Sequence, residues 1–288
     1  MPIVHFVARL WLIALLGLAA FLAMSDPVTA QAPSSIPHLT AAVLPESRSV
    51  EVGNTATVFA TIIDDGAANA SGCGIAPLTS IPATFFYQTT NPSTNALTGT
   101  PNTAANIAQG ASQSYVIALT PTAAFAPTNV YFAFTCANVF GPAQWYVGIN
   151  TLNLSASTTP VPDIVALVAS GDPGIVDISA SSQYGAFAVA TVNVGSADTI
   201  TASADTGGTS LPISLNLCQT NPATGACVAP AAAGVTTTIA ANATPTFAIF
   251  AGSSSAIPFD PANNRVFVRF IDRSGVLRGA TSVAVRTQ

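Results

Sequence analysis

The sequence predicts an all-β chain built as two tandem antiparallel β-sandwich domains behind an N-terminal signal peptide. The first observation is a duplication: residues 53–92 pair with residues 183–222 without a gap at an offset of 130, which matches Pro82 to Pro212. Self-similarity at a long fixed period is typical of repeated structural units. The second observation is that short apolar stretches alternate with polar residues and end at clusters of Gly, Pro, Asn and Ser.

Residues 55–63 are the clearest strand of the first repeat. Every second residue on one face is apolar, namely Ala56, Val58, Ala60 and Ile62. A period of two indicates a strand with one face in a core. The second repeat keeps this face as Ala186, Ala188, Ala190 and Val192. After residue 30 no apolar pattern of period 3.6 runs for a dozen residues, so helix is expected to be a minor component.

About seven short strands are predicted in each repeat. In the first repeat they include a Pro-broken first strand over 40–52, a strand over 80–88, and a last strand over 144–154. The segment that contains Cys73 is predicted as a Gly- and Ala-rich connection between strands.

The repeats and their flanks divide the chain into five parts. Residues 1–30 are a signal peptide, 31–38 a flexible leader, 39–154 the first sandwich, 155–162 a Pro-containing linker, and 163–288 the second sandwich. Two prolines in the linker favour an extended, semi-rigid spacer.

The N-terminus has the pattern of a secretory signal. Arg9 precedes an apolar stretch over 10–24, and Val28-Thr29-Ala30 has the small residues of a cleavage site. The stretch is shorter than the roughly 20 residues that span a bilayer comfortably, and a retained anchor is the alternative. We therefore expect an exported protein that is periplasmic, on the cell surface or extracellular, with no membrane span in the mature chain.

The strand pattern resembles the bacterial immunoglobulin-like and fibronectin type III-like domains of surface and secreted proteins. The resemblance depends on the alternating strand over 55–63, the corresponding strand over 185–193, and the order of the strands. The chain departs from the antibody pattern because no Trp stands in the third strand and Cys73 follows the second strand. The resemblance implies two sandwiches with loops gathered at their ends.

Four cysteines in an exported chain favour disulfides. Cys218 and Cys227 flank a Thr-Asn-Pro-Ala-Thr-Gly turn, whereas Cys73 and Cys136 both lie in the first repeat. Three pairings are possible, and the preferred one, Cys73 with Cys136 and Cys218 with Cys227, keeps each bridge inside one repeat. The immunoglobulin-like resemblance would place Cys73 and Cys136 in loops at the same end of the sandwich.

Charge is scarce in this chain. Charged residues make up 7% of the sequence, lysine is absent, and the net charge is −5. This balance disfavours nucleic acid as a partner. Five arginines lie between Arg265 and Arg286, with Asp260 and Asp272 near or among them, and we expect these arginines to form a solvated strand face.

Catalytic chemistry has little support in the sequence. After the signal peptide the only histidine is His38, which disfavours histidine-dependent triads and zinc sites. Asp205-Thr206-Gly207 is similar to the motif of aspartic proteases, but the first repeat has Ile75-Ala76-Pro77 at the aligned positions. Two carboxylates sharing a proton are therefore not predicted within one chain.

The carboxylates are also candidate calcium ligands. Asp64 and Asp65 form a turn, and the linker-proximal Asp163 and Asp198 could contribute with them. Calcium prefers several hard oxygen ligands from spaced acidic loops, a pattern that is absent here. We predict neither a metal site nor a cofactor.

An aromatic cluster, Phe140, Trp145 and Tyr146, is present in the first repeat alone. These side chains are either an apolar anchor for a partner at a loop end or a plug that covers the end of the core or the domain junction.

Taken together, these patterns favour an exported, non-enzymatic structural or adhesion module whose partner is a protein or a surface glycan. One alternative is an exported hydrolase or a calcium-dependent binding protein that uses loop carboxylates. Another is a subunit of a surface fibre, for which residues 31–43 would be the exchangeable strand.

Overall fold

The computed structural model describes residues 36–171 and 174–288. The predicted signal peptide and residues 31–35 of the predicted leader lie outside the described residues. Within the described residues the regular elements are all β-strands, which confirms the all-β prediction. None of these residues forms a helix capable of crossing a membrane.

The N-terminal half, residues 39–157, forms a four-stranded and a five-stranded sheet. Its strands are β1 (Leu39–Leu44), β2 (Ser47–Glu51), β3 (Ala56–Asp64), β4 (Ala70–Pro77), β5 (Ala83–Thr90), β6 (Ala105–Ile107), β7 (Ser112–Pro121), β8 (Phe125–Thr135) and β9 (Thr151–Ser157). The strand orders are β1-β3-β7-β5 and β2-β9-β8-β4-β6.

The C-terminal half, residues 164–287, repeats this arrangement. Its strands are β10 (Ile164–Ala169), β11 (Ile175–Ile178), β12 (Tyr184–Asn193), β13 (Asp198–Asp205), β14 (Ile213–Thr220), β15 (Gly234–Ile239), β16 (Thr246–Ser253), β17 (Arg265–Asp272) and β18 (Leu277–Thr287). The orders β10-β12-β16-β14 and β11-β18-β17-β13-β15 match those of the first half strand for strand.

Each half has its own hydrophobic cluster, to which both of its sheets contribute. Tyr115, Phe132 and Phe134 are among the largest fully buried side chains of the first cluster. Phe247 and Phe270 pack edge to face in the second, with ring centroids 5.4 Å apart. Alternation of inward apolar and outward polar residues explains these cores, because successive side chains of a strand point to opposite faces.

The strand predictions need four corrections. The predicted first strand is two strands, β1 and β2, which belong to different sheets. β2 runs parallel to β9, and β11 runs parallel to β18, so the sheets are not wholly antiparallel. The predicted connection around Cys73 is the strand β4, and each half has nine strands in place of about seven.

The predicted ends of two segments also differ in the structure. The last strand of the first half begins at Thr151, not at residue 144, and continues to Ser157. The first three residues of the predicted linker therefore belong to β9. At the other end of this half, residues 36–38 of the predicted flexible leader are bound to the turn after β3, where Asp65 N donates to His38 O at 3.0 Å.

Two disulfides join Cys73 to Cys136 and Cys218 to Cys227, each within one half. Cys73 lies inside β4 and Cys136 directly follows β8. Because β4 and β8 are hydrogen-bonded neighbours with Gly74 opposite Thr135, the first bridge links two strands of one sheet. The expected loop position of Cys73 is therefore wrong.

Candidate functional site

The aromatic cluster lies in the connection between β8 and β9, residues 136–150. The matching connection of the C-terminal half, residues 273–276, is much shorter. The longer connection returns along β8, where Ala143 N donates to Phe134 O at 2.9 Å. This insertion is thus held against one sheet while its outer residues face solvent.

The three aromatic side chains have different surroundings. The Trp145 indole N–H donates to Phe132 O at 2.8 Å, and its ring meets Tyr131 edge to face with centroids 6.1 Å apart. Trp145 is 37% exposed, whereas Phe140 is 91% exposed. Trp145 therefore attaches the insertion to β8, whereas the ring of Phe140 is exposed to solvent. Tyr131, which the sequence analysis did not single out, is the second half of the fixed pair.

Tyr146 begins a turn that ties the insertion together. Its backbone N–H donates to Asn150 Oδ1 at 2.8 Å, and its carbonyl accepts from the N–H groups of Ile149 and Asn150. The Asn150 amide also donates to Gln144 O at 2.8 Å. The ring of Tyr146 is partly exposed at the end of this turn.

The tip of the insertion contacts the C-terminal half. Gly148 O accepts from the Ser282 hydroxyl at 2.8 Å and from Arg265 Nη2 at 3.3 Å. Gly148 has φ of +83°, and a Cβ there would be 2.8 Å from the Phe267 ring and closer still to Ser282. A glycine is needed at this point because the backbone turns left-handed and the two halves meet without room for a side chain.

Polar contacts continue across the junction between the halves. Arg48 in β2 pairs with Asp163, with Nη2 to Oδ2 at 2.8 Å, and both side chains are largely buried. Asp163 Oδ1 also accepts from the N–H of Ser49, whose hydroxyl in turn accepts from Arg278 Nη1 at 2.9 Å. Buried charges need such partners, since an unpaired charge removed from water is costly.

Arginines 265 and 278 differ from the expectation of a solvated strand face. Both are buried in the junction, and Arg278 Nε also bonds Asp272 Oδ2 at 2.7 Å. Burial lowers the pKa of the Arg265 guanidinium, partly opposed by the nearby Glu46. Burial alone would raise the pKa of the Asp272 carboxyl, but hydrogen bonds from Ser274, Val276 and Arg278 lower it overall.

Glu46 is a buried acid in the same region that the sequence analysis did not single out. It is 5% exposed, and its Oε2 has no hydrogen-bond partner in the described part of the chain. Removal from water raises its pKa, against the opposing influence of Ser282, Arg265 and Arg269. The sequence gives no signal for this burial, since Glu46 lies in a polar stretch with Arg48 and Glu51 close by.

The carboxylates considered for catalysis or calcium are occupied by basic partners or backbone donors. Asp205 accepts from Arg269 Nε at 2.5 Å and from the Gly207 N–H at 2.7 Å. Asp198 pairs with Arg273, and Asp65 with His38. Asp64 is buried and caps the backbone N–H groups of Gly66 and Ala70. No group of three or more metal-ligating side chains gathers within residues 36–171 and 174–288.

Comparisons with known proteins give low structural similarity. No family model and no curated protein sequence matches the chain. Its solved structural neighbours include the Yersinia pseudotuberculosis adhesin InvE, at 12% identity and a TM-score of 0.25, covering 87% of this chain and 60% of that one. They also include the major pilin subunit BcpA of Bacillus cereus, at 10% identity and a TM-score of 0.28, covering 87% of this chain and 70% of that one.

A Porphyromonas gingivalis protein of unknown function has 11% identity and a TM-score of 0.27, with 87% of this chain and 99% of that one covered. The chain thus spans three fifths of the length of the InvE structure. These neighbours are similar in fold at a low level, and they assign no function to this chain.

Proposed function

We propose that the chain is exported after removal of residues 1–30 and serves as a non-enzymatic adhesion module. In this proposal the two matching sheet pairs are tandem immunoglobulin-like domains, placed in the periplasm, on the cell surface or outside the cell. The two disulfides support export, because such bridges persist mainly in oxidising compartments.

The observation that carries the adhesion role is the exposed ring of Phe140 on an insertion that the Cys73–Cys136 bridge holds at its start and Trp145 and Gly148 hold towards its end. Trp145 binds β8, and Gly148 binds β17 and β18 through Arg265 and Ser282. A large apolar side chain on a pre-organised loop contacts a protein partner at a small entropic cost. Interface hot spots are enriched in such aromatic anchors. We therefore infer that this loop meets a protein surface.

The pairing of the charged side chains with one another supports the proposal of a non-enzymatic role. The carboxylate of Asp205 is paired with Arg269, and the one histidine of the described residues pairs with Asp65 at the edge of the fold. A nucleophile or general base needs a neighbouring group that activates it, which these pairs do not supply.

A fibre subunit formed by exchange of residues 31–43 has weaker support. Residues 39–44 form β1 and pair with β3 along their whole length, from Leu39 opposite Asp64 to Leu44 opposite Phe59. An exchange would require β1 to leave its own sheet.

The adhesion role is tested with the variant Phe140→Ala. The purified exported chain is labelled and its binding to the envelope fraction of the producing cells is measured in comparison with Leu97→Ala, which removes an exposed apolar side chain from another loop. We expect Phe140→Ala to weaken binding at least about tenfold, which corresponds to a hot spot of about 1.4 kcal/mol or more. Its melting temperature should stay unchanged, because the ring is almost fully in water.

Trp145→Ala separates recognition from support. We expect it to lower the melting temperature, because it removes the bond to Phe132 O and the contact with Tyr131. If Phe140→Ala and the unmodified chain bind the envelope fraction equally, the proposed adhesion role of this loop is wrong.

A further inference from the structure

A second surface feature lies on the C-terminal half, away from the aromatic insertion. An open groove of about 470 Å³ runs between the start of β12, the start of β14 and the end of β16. Its lining includes Gln183, Tyr184, Leu211, Ser214, Gly252 and Ser254. No charged residue lines it, which is consistent with an uncharged ligand in a chain of net charge −5.

Tyr184 presents an exposed ring at this groove, with 68% of the residue accessible. Its cross-strand partner is Gly252 in β16. A Cβ at position 252 would lie 3.0 Å from Cε1 of Tyr184 and 2.8 Å from the Ser214 hydroxyl. The missing side chain at position 252 thus leaves room for the ring to lie beside the backbone of β16.

Gln183 lies beside this ring in a rigid stretch of backbone. It has φ of +61°, its N–H donates to Ser179 O at 2.7 Å, and its carbonyl accepts from Ser253 N at 3.0 Å. Its side chain is exposed and makes no hydrogen bond to any described residue. A side-chain amide supplies both donors and an acceptor, as do the serine hydroxyls nearby.

The duplicated half lacks these groups. At the offset of 130, Gln183 and Tyr184 correspond to Gly53 and Asn54. Gly53 N donates to Pro121 O, whereas in the C-terminal half the bond runs from Ser253 N to Gln183 O. The ring and the amide are therefore particular to one half, and they are not required by the shared topology.

We propose that this groove binds one neutral hexopyranose unit of a surface glycan. The C–H face of a pyranose ring packs on the Tyr184 ring, while its hydroxyls exchange hydrogen bonds with the Gln183 amide and the groove serines. At about −0.3 kcal/mol per non-hydrogen atom, a single methyl glycoside binds weakly, with Kd of about 1 mM. Binding gains strength when several copies act together. The proposal rests on the proposed export in one respect, since surface glycans are met outside the cell.

The competing explanation is that Tyr184 only covers the glycine opposite it. An aromatic ring over a cross-strand glycine stabilises a sheet without any ligand. The two explanations differ in what Tyr184→Ala does to sugar binding. Only a ligand site predicts that sugar binding depends on this ring, and Tyr184→Phe, which keeps the ring, should still bind.

The test titrates the exported chain with the methyl glycosides of glucose, galactose, mannose and N-acetylglucosamine, observed by saturation-transfer NMR. We expect at least one glycoside to bind, Tyr184→Ala to weaken it at least about tenfold, and Tyr184→Phe to stay within about threefold. Gln183→Ala should weaken binding by about fivefold, which is the loss of one or two hydrogen bonds. Phe140→Ala is the matched control and should bind sugar as the unmodified chain does.

Absence of binding by all four glycosides up to about 20 mM, well above the expected Kd of about 1 mM, would overturn the sugar assignment. Equal glycoside binding by Tyr184→Ala and the unmodified chain would show that the sugar does not bind in this groove. If the chain binds the envelope fraction but none of the glycosides, the sugar proposal is wrong and the adhesion role of Phe140 is unaffected. If the chain binds a glycoside and Phe140→Ala binds the envelope fraction as the unmodified chain does, the adhesion role of Phe140 is wrong and the sugar proposal is unaffected.

Discussion

Glu46 is a buried acidic residue, although a carboxylate is more stable in water. It lies between β1 and β2, is buried, and faces Arg265, Arg269, Asp205 and Ser282. Its carbonyl accepts from Asn153 N, so its backbone is fixed by β9. Burial raises the pKa of its carboxyl above the ordinary value of 4.5, and the arginines oppose this only in part.

The raised pKa gives stability a definite dependence on pH. The folded state holds the proton of Glu46 more tightly than the unfolded state does. The stability linked to this proton is therefore complete below the unfolded value of 4.5 and is lost as the pH rises through the folded pKa. The lowered pKa of Asp272 acts in the opposite direction and only in more acidic solution, below 3.8.

We predict that the melting temperature falls as the pH rises above 4.5, and that Glu46→Gln removes this fall and raises the melting temperature on its alkaline side. Glutamine has nearly the same shape and no proton to lose. The measurement is thermal unfolding across this pH range, with Glu51→Gln in the neighbouring β2 as the control. Parallel pH curves for Glu46→Gln and the unmodified chain would show that Glu46 does not titrate in this way.

The elements that alternate regularly are those the sequence predicted best. β3 was predicted over 55–63 and is observed over 56–64. β4 was missed because its register with β6 shifts between Ala70 and Cys73, which breaks the period of two. β13 was missed because its inward residues include the small Ala202 beside Ile200, which gives little hydrophobic signal.

β5 and β14 are equivalent strands of the two halves, and each is joined to the segment that follows it by a different kind of bond. In β14, Cys218 is bridged to Cys227 in the segment that returns along the strand. At the offset of 130 the first half has Gln88 and Leu97. The Gln88 amide donates to Thr98 O at 3.3 Å and to Gly99 O at 3.0 Å. A side-chain amide thus joins the same two segments that a disulfide joins in the second half.

We predict that the double variant Gln88→Cys, Leu97→Cys forms a third disulfide. Thr90 bridges Leu97 as Thr220 bridges Cys227, so the backbones at the two places have matching register. Closing a loop of this size should stabilise the oxidised double variant by about 2–3 kcal/mol over its reduced form. The two hydrogen bonds of the Gln88 amide are lost in both forms and lower the stability of both alike. Mass analysis of the alkylated chain measures the bridge, and Leu97→Cys alone is the control. Two alkylated thiols at these positions would contradict the proposed equivalence.

At the scale of the whole molecule, the described residues form one compact unit in which the two halves meet through buried polar groups. Besides Arg48 with Asp163, the hydroxyl of Ser47 accepts from Ala280 N at 2.5 Å, and Ser282 donates to Gly148 O. These bonds have fixed directions, so they set the position of one half against the other. The predicted Pro-containing linker is therefore accompanied by a second set of connections.

We predict that Gly148→Ala weakens this junction and that Gly141→Ala does not. Both glycines have nearly the same φ, +83° and +84°, and lie in the same insertion, but a Cβ at 141 meets nothing within 4 Å. The backbone cost of about 1 kcal/mol is therefore shared, and Gly148→Ala should lose about 1–3 kcal/mol more through overpacking.

Calorimetric unfolding measures both variants. The extra loss should lower the melting temperature of Gly148→Ala by about 2–4 °C for each kcal/mol and broaden or divide its transition. Equal melting curves for the two variants would mean that the halves do not depend on this contact.

The sequence by itself determined the all-β class, the duplication and the scarcity of histidine and lysine, because side-chain period and residue type are local properties. Tertiary structure alone decided that β1 and β2 belong to different sheets, that Arg265 and Arg278 are buried, and that Phe140 is bare while Trp145 is bound. Those outcomes depend on which distant residues meet, as Gly148 meets Ser282 across 134 positions. A linear pattern records the chemistry of each partner, but the distance between them is set only when both halves have packed.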